Sequence, residues 1–193
     1  MMGRTHALLG INALWLLEPL WMLEPWSFAR LFPWALLGSV VGALSPDLDA
    51  PVSLLSLTSI GGVRPLALPA RWLNRRYGHR GALHSLRGWG AAALLFCPLL
   101  LIGFPVGSGP SLWLGLTLWL GLTLGYGSHL LGDATTRSGI PWLYPNPRRV
   151  HLLPKPLRLL TGSMAEDGVM FLLAVTALLL LLRHLSLGLP PAL

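Results

Sequence analysis

A histidine and an aspartate, His129 and Asp133, stand four residues apart at the end of an apolar run that covers residues 111–131. On a helix this spacing places both side chains on one face, within reach of a common ion. Ionisable groups beside a membrane-length apolar run are costly to keep there and tend to be functional. The pair therefore indicates a metal or catalytic site at the end of this helix.

Four other apolar runs carry ionisable residues at their ends in the same way. With the pair above, the candidate metal ligands are His6, Asp47, Asp49, His79, His84, His129, Asp133 and Glu166. Imidazole and carboxylate without cysteine suit Zn²⁺, Mn²⁺ or Fe, and such mixtures favour hydrolytic sites. One catalytic metal uses three protein ligands, and these candidates exceed that number. We therefore expect two divalent ions, most simply zinc, that share an aspartate. Asp49, His84, His129 and Asp133 are the residues we expect at the catalytic centre.

Several of these residues also have a simpler interpretation. His6 could be an interfacial histidine, and Asp47 and Asp49 follow a proline, where aspartate often stabilises a turn. Glu166 forms a Ser-x-x-Glu capping box with Ser163. Three loop arginines are candidates for binding a substrate phosphate, because a guanidinium recognises phosphate with two hydrogen bonds, and they equally suit a role in membrane topology. They are Arg80, Arg148 and Arg149.

The composition defines the class of protein. The chain has 193 residues, of which 53% are hydrophobic and 11% charged, whereas a soluble domain carries roughly a quarter charged residues. We therefore expect a single membrane-embedded domain over residues 1–193, built as an all-α polytopic bundle. The net charge of +7 comes from basic residues in loops beside apolar helices, so we expect a lipid bilayer and no nucleic acid as partner. The single cysteine, Cys97, excludes an intrachain disulfide and a zinc site built on cysteines.

Five apolar runs predict five transmembrane helices, at residues 7–23, 28–44, 86–106, 111–131 and 169–187. Runs of this length can cross a hydrocarbon core of ~30 Å at about 1.5 Å per residue. Two of the connections between these helices are basic loops, and the first of these loops contains a short helix near residues 70–77. Twelve basic residues fall on one side and only Arg30 and Arg183 on the other. In the plasma (inner) membrane, this bias predicts a cytoplasmic N-terminus, cytoplasmic loops and an outer C-terminus. The candidate ligands then share the cytoplasmic face.

The same residues carry a resemblance to a known family. The matching elements are Thr5-His6, Ser45-Pro46-Asp47-Leu48-Asp49, His79-Arg80-Gly81, His84-Ser85, and His129-Leu130-Leu131-Gly132-Asp133 continuing to Leu143-Tyr144-Pro145. In order and spacing they resemble the YdjM-like, LexA-regulated, membrane-bound metal-dependent hydrolases over about residues 4–147. The His-x3-Asp element is also similar to that of the zinc-dependent phospholipase C and P1 nuclease group, which implies a phosphoester bond.

The resemblance and the ligand chemistry together predict a membrane-bound metal-dependent hydrolase. Its expected substrate is a phosphoester, most simply on a lipid-like molecule, at the cytoplasmic interface. The alternative is a non-enzymatic metal-binding membrane protein, a transporter or scaffold, whose polar cluster is structural. A transporter should carry polar residues near the middle of the bilayer, and these apolar runs have almost none.

Overall fold

The computed structural model describes residues 1–17, 27–98 and 109–188. Over these residues the chain is helical, with short 3-10 turns and isolated β-bridges in place of strands. The helices are α1 (Gly3–Ala13), α2 (Ser27–Leu44), α3 (Leu54–Leu57), α4 (Ala67–Tyr77), α5 (Leu86–Phe96), α6 (Gly109–Ala134) and α7 (Met164–Gly188). The expectation of an all-α protein is confirmed.

Most of the predicted apolar runs correspond to helices. The second, fourth and fifth runs lie in α2, α6 and α7, and the short basic helix of the first loop is α4. The first run begins within α1, which gives way to a 3-10 turn at Leu14–Leu17. The third begins with α5. The remainder of these two runs, residues 18–23 and 99–106, lies outside the described residues.

The number of membrane spans is smaller than expected among the residues that the structure describes. Two helical segments are long and apolar enough to cross a membrane, Leu31–Asp49 and Met164–Ser186, and α5 is a shorter apolar helix. In α6 leucine alternates with glycine, threonine and tryptophan, which lowers its mean hydropathy. The span in α7 has large exposed side chains, including Phe171 at 67% and Leu172 at 64%. Such a continuous apolar surface suits lipid contact.

Glycines allow α2 and α6 to pack with their backbones in direct contact. Gly38 and Gly42 on α2, and Gly121 and Gly125 on α6, are spaced four residues apart on each helix. A Cβ atom on Gly42 would lie 2.1 Å from the carbonyl oxygen of Leu122, and one on Gly125 would lie 2.0 Å from that of Ser39. Small residues at this spacing are typical of close helix pairs in membranes.

Helix α1 packs against the same pair. The Ser39 hydroxyl donates a 2.6 Å hydrogen bond to the carbonyl oxygen of Gly10. A Cβ atom on Gly10 would lie 2.8 Å from the carbonyl oxygen of Ser39, so these two helices also approach closely. The N-terminal end of α1 therefore meets the C-terminal ends of α2 and α6, where His6 and His129 lie.

Adding one methyl group to this interface should destabilise the fold. We expect Gly125→Ala to lower the free energy of unfolding by about 1–3 kcal/mol, because the new Cβ overpacks a backbone contact. Gly168→Ala is the matched control, since a Cβ there meets no atom within 4 Å, and it should be neutral or stabilising by about 0.4–1 kcal/mol. Thermal unfolding of both variants in detergent measures the difference. Equal melting temperatures for the two variants would contradict this account of the packing.

Candidate metal centre

The position of His129 is set by the contact between α2 and α6. Its Nδ1 atom lies 2.7 Å from the carbonyl oxygen of Ala43. A carbonyl only accepts, so Nδ1 donates and Nε2 keeps a free lone pair, as in many metal-binding histidines. This Nε2 lies 3.1 Å from Nε2 of His84 and 3.7 Å from Oδ2 of Asp133. The ring of His129 is completely buried.

Asp133 lies one helical turn further along α6 and is also completely buried. Its Oδ1 atom accepts a hydrogen bond from the Arg80 guanidinium at 3.1 Å and another from the amino group of Met1. Its Oδ2 atom has no hydrogen-bond partner and lies 3.6 Å from Nε2 of His84. A buried carboxylate oxygen without a partner is costly, and a cation at this point would offset that cost.

The 3-10 turn Pro46–Asp49 supplies two more carboxylates. Asp49 does not cap its own turn: Oδ1 lies 2.7 Å from Nδ1 of His79, and Oδ2 accepts from the backbone N–H of Arg80 at 3.1 Å. Asp47 extends toward the imidazoles, with Oδ1 3.5 Å from Nε2 of His84 and 3.8 Å from that of His129. The turn therefore joins the segment that precedes α5 to the end of α6.

His84 is at the centre of these contacts. It ends a 3-10 turn, Ala82–His84, whose Leu83 carbonyl oxygen accepts a 2.6 Å hydrogen bond from the Tyr126 hydroxyl on α6. Burial lowers the pKa of His84, but hydrogen bonds and charge from Asp47 and Asp49 oppose this effect and raise the pKa to about 9. Without an ion the ring is thus an imidazolium that balances the carboxylates, and a divalent metal ion would have to displace its proton.

His6 reaches the cluster from α1. Its ring stacks on that of His129, with centroids 3.6 Å apart and planes 16° apart. Nε2 lies 3.3 Å from Oδ1 of Asp133, yet neither ring nitrogen has a partner in hydrogen-bond geometry. The side chain is fully buried. A histidine at a lipid interface would not be enclosed in this way, so the simpler interpretation of His6 does not fit.

Six of the candidate ligands therefore converge, and we name them the His/Asp cluster: His6, Asp47, Asp49, His84, His129 and Asp133. They form three overlapping triads, and within each triad the three ligand atoms lie within 4.8 Å of one another. The triads are His6–Asp47–His129, His84–His129–Asp133 and Asp47–Asp49–His84. Unpartnered buried nitrogen and oxygen atoms within a set of imidazoles and carboxylates fit a divalent transition metal.

Two candidate ligands lie outside the triads. His79 contacts Asp49 but is 45% exposed. Both carboxylate oxygens of Glu166 are engaged, one by the backbone N–H of Met2 at 2.6 Å and the other by that of Gly162 at 2.7 Å. The backbone N–H of Glu166 itself donates to the Ser163 hydroxyl at 3.4 Å. This arrangement favours a structural role for Glu166, which attaches the start of α7 to the start of α1.

The three arginines that are candidates for binding phosphate also differ in their distance from the cluster. Arg80 joins the cluster through Asp133, and its side chain is 12% exposed. Arg148 and Arg149 are exposed, and the Arg149 guanidinium donates to backbone carbonyl oxygens of its own loop, at 3.3 Å for Ser138 and 3.2 Å for Gly139. Only Arg80 among them has a contact with the His/Asp cluster in the part of the chain that the structure describes.

Three groups that support the cluster were not predicted from the sequence. They are the Ala43 carbonyl, the Tyr126 hydroxyl and Thr136, whose Oγ1 lies 3.4 Å from the Arg80 guanidinium. A backbone carbonyl leaves no signal in a sequence. A tyrosine three residues before His129 in a helix of leucine and glycine was a usable signal, because a buried phenol needs a partner for its hydroxyl.

The fold and the cluster define an all-helical membrane protein with a buried group of imidazoles and carboxylates at one end of its helices. The sequence matches the YdjM inner membrane protein family over residues 1–188, and the chain belongs to that family. No curated protein and no solved structure was found to match it. The resemblance to the YdjM family is thus confirmed, and the family together with the two candidate spans assigns the chain to a membrane.

Removing the central carboxylate should abolish metal binding. We expect purified Asp133→Asn protein to lose its metal, with an affinity reduced by more than the roughly 10–100-fold that loss of an outer hydrogen-bond partner costs. Asp167→Asn is the control, because this carboxylate is 48% exposed and pairs with Arg4 at 2.7 Å. Elemental analysis of both proteins and titration with Zn²⁺ measure the effect. Equal metal content in the two variants would exclude Asp133 as a ligand.

Proposed function

We propose that this protein is a membrane-bound metal-dependent hydrolase that acts on a phosphoester of a lipid-like substrate at the cytoplasmic interface. The observation that carries the proposal is the set of three overlapping triads, in which buried ligand atoms of Asp133 and His6 lack hydrogen-bond partners. A structural polar network would satisfy such atoms internally. The unpartnered atoms instead favour a group that enters from outside the chain.

Two ions suit the ligand set better than one. The triads His6–Asp47–His129 and Asp47–Asp49–His84 share only Asp47, and the third triad adds Asp133 to one histidine from each of them. A carboxylate has two oxygens and can serve two ions at once, whereas an imidazole binds one. Asp47 would therefore be the carboxylate that both ions share. Zinc is the ion that the mixture of histidine and aspartate suits best, and manganese or iron are compatible with it.

A metal pair bound there would lower the pKa of a bound water and neutralise charge on a phosphoryl oxygen. The protein supplies the geometry: the Ala43 carbonyl fixes the tautomer of His129, and Tyr126 holds the turn that carries His84. Arg80 contributes a positive charge beside Asp133, where its guanidinium can donate two hydrogen bonds to a phosphate. Asp47 is 18% exposed and His79 is 45% exposed, so the proposed route for substrate passes between them.

The proposed topology has five spans, with the N-terminus and both basic loops in the cytoplasm and the C-terminus outside. The support is twofold. Twelve basic residues fall on one side against two on the other. In addition, four helix ends lie close to the same cluster. Helices α1 and α7 begin there, as the stacking of His6 on His129 and the hydrogen bond between Met2 and Glu166 show. Helices α2 and α6 end there, where the Ala43 carbonyl accepts from His129.

A non-enzymatic metal-binding role is the alternative. It is favoured by the nearly complete burial of His6, His84, His129 and Asp133, which restricts access to any ion. The partial exposure of Asp47 and His79 beside an arginine favours the enzyme.

Turnover of a substrate panel tests the proposal. Phospholipids, isoprenoid phosphates and carboxyl esters are offered in detergent to chelator-treated protein, with Zn²⁺, Mn²⁺ or Mg²⁺ restored. We expect metal-dependent release from a phosphoester and complete loss of turnover in Asp133→Asn. Arg80→Ala should reduce turnover while the metal is retained. Arg149→Ala should have no effect, because this guanidinium donates to carbonyl oxygens of its own loop. Release from carboxyl esters alone would contradict the phosphoester assignment. No release from any substrate, with metal still bound, would favour the non-enzymatic role.

Fusion reporters test the topology. A reporter that is active only in the cytoplasm should be silent when fused after α7 and active when inserted in the loop between α6 and α7, because the positive-inside bias keeps that loop in the cytoplasm. Activity at both positions would contradict the proposed placement of the C-terminus.

A further inference from the structure

The segment that links α2 to the residues before α5 has an unusual charge distribution. Residues 51–77, which we name the interfacial segment, contain four arginines and no acidic residue. The arginines are Arg64, Arg71, Arg75 and Arg76, and all four are exposed. More broadly, residues 50–132 contain no aspartate or glutamate at all. A surface of this kind is complementary to an anionic partner.

Helix α4 combines these charges with exposed apolar side chains. Leu68 is 75% exposed and Trp72 is 61% exposed, and they lie one turn apart on the same face. Arg71 and Arg75 flank this face on one side and Arg76 on the other, as the helical spacing requires. Trp72 also meets Tyr77 edge-on, with ring centroids 6.2 Å apart. Arginine beside tryptophan and leucine is typical of helices that lie in a membrane interface.

The turn before α4 adds two more exposed apolar residues. Ile60 and Val63 close a tight turn, in which the N–H of Ile60 donates to the Val63 carbonyl oxygen at 2.8 Å. The two residues between them are glycines with positive φ, Gly61 at 59° and Gly62 at 83°. Ile60 is 70% exposed and Val63 is 65% exposed. Exposure of this apolar pair to water is unfavourable. The pair lies at the tip of a turn, next to Arg64.

The inner side of α4 is fixed to the end of a candidate membrane span. Ala70 is completely buried, and the side-chain amide of Asn74 donates to the carbonyl oxygen of Asp49 at 2.8 Å. Asp49 is the last residue of the span Leu31–Asp49. The helix is thus held where a span leaves the hydrocarbon core, which is the depth of the lipid headgroups.

We propose that the interfacial segment lies in the headgroup layer of the membrane and binds anionic phospholipid. Leu68, Trp72 and the turn at Ile60–Val63 enter the upper acyl region, while the arginines contact lipid phosphates. A lipid surface is preferred over an acidic protein because the segment is attached to the end of a span. The segment also joins Asp49 to His79, so the exposed edge of the His/Asp cluster lies at the same level. This inference does not depend on hydrolysis.

Site-directed spin labelling of the full-length protein tests the proposal. In a Cys97→Ser background, a label is attached to Leu68→Cys, and Ser138→Cys in the second loop serves as an exposed control. Each protein is reconstituted in vesicles of phosphatidylcholine alone or with about 30 mol% phosphatidylglycerol. Collision with oxygen reports lipid, and collision with a water-soluble nickel chelate reports water. We expect the oxygen-to-nickel ratio at residue 68 to rise at least about twofold in anionic vesicles, with no change at residue 138.

A charge variant separates the contribution of arginine from that of the apolar face. Arg71→Gln/Arg75→Gln/Arg76→Gln should remove the rise at residue 68, whereas Arg148→Gln/Arg149→Gln/Arg158→Gln, with the same change in charge in the other loop, should preserve it. An oxygen-to-nickel ratio at residue 68 that is typical of water in both kinds of vesicle would overturn the proposal and favour a protein partner. Insertion that is identical with and without anionic lipid would overturn the headgroup assignment. Neither result depends on whether the protein turns over a substrate.

Discussion

The backbone contact between α2 and α6 is the constraint on which the rest of the structure depends. Glycines at positions 42 and 125 bring the two helices close enough for the Ala43 carbonyl to accept from His129. That hydrogen bond aims Nε2 of His129 at the other ligands and fixes its protonation state. The same approach places Asp47, in the turn Pro46–Asp49, 3.8 Å from Nε2 of His129 near the end of α6. Packing in the apolar part of the protein thus determines the geometry of its polar end.

Charge balance is the second organising effect. Asp47, Asp49 and Asp133 sit close together, two of them completely buried, and like charges at such distances repel strongly. The Arg80 guanidinium, the Met1 amino group and the protonated ring of His84 offset this repulsion in the structure. Even so, Oδ2 of Asp133 keeps no partner. Three positive groups thus match three carboxylates in charge, but the hydrogen bonding of Asp133 is incomplete. This buried, unpartnered oxygen, which a divalent cation would satisfy, distinguishes the cluster from an ordinary network of salt bridges.

The sequence predicted the helices and the converging residues better than the role of each residue. Periodicity and run length identified α2, α6 and α7, and the histidines and aspartates at helix ends identified the six residues of the cluster. The spacing of residues could not separate Glu166 from them, because a carboxylate before a helix looks the same whether it caps the backbone or turns toward an ion. Arg80 and Arg149 were likewise alike in sequence, and only the path of each loop distinguishes them. The five spans stay a prediction, since two pass the test of length and composition among the described residues.

For the proposed metal site, the burial of the cluster has a consequence for how ions would enter it. His6, His84, His129 and Asp133 have no exposed surface. Three of these residues lie on α1 and α6, which pack against α2 through close backbone contacts. Exchange of a bound ion would require the Asp47 turn to move or the bundle to open, and such motions are slow in tightly packed proteins. The choice of metal would then be made once, during folding, by whichever ion is available in the compartment where the helices assemble. In that proposal, kinetic retention, more than equilibrium selectivity, would decide which element occupies the site.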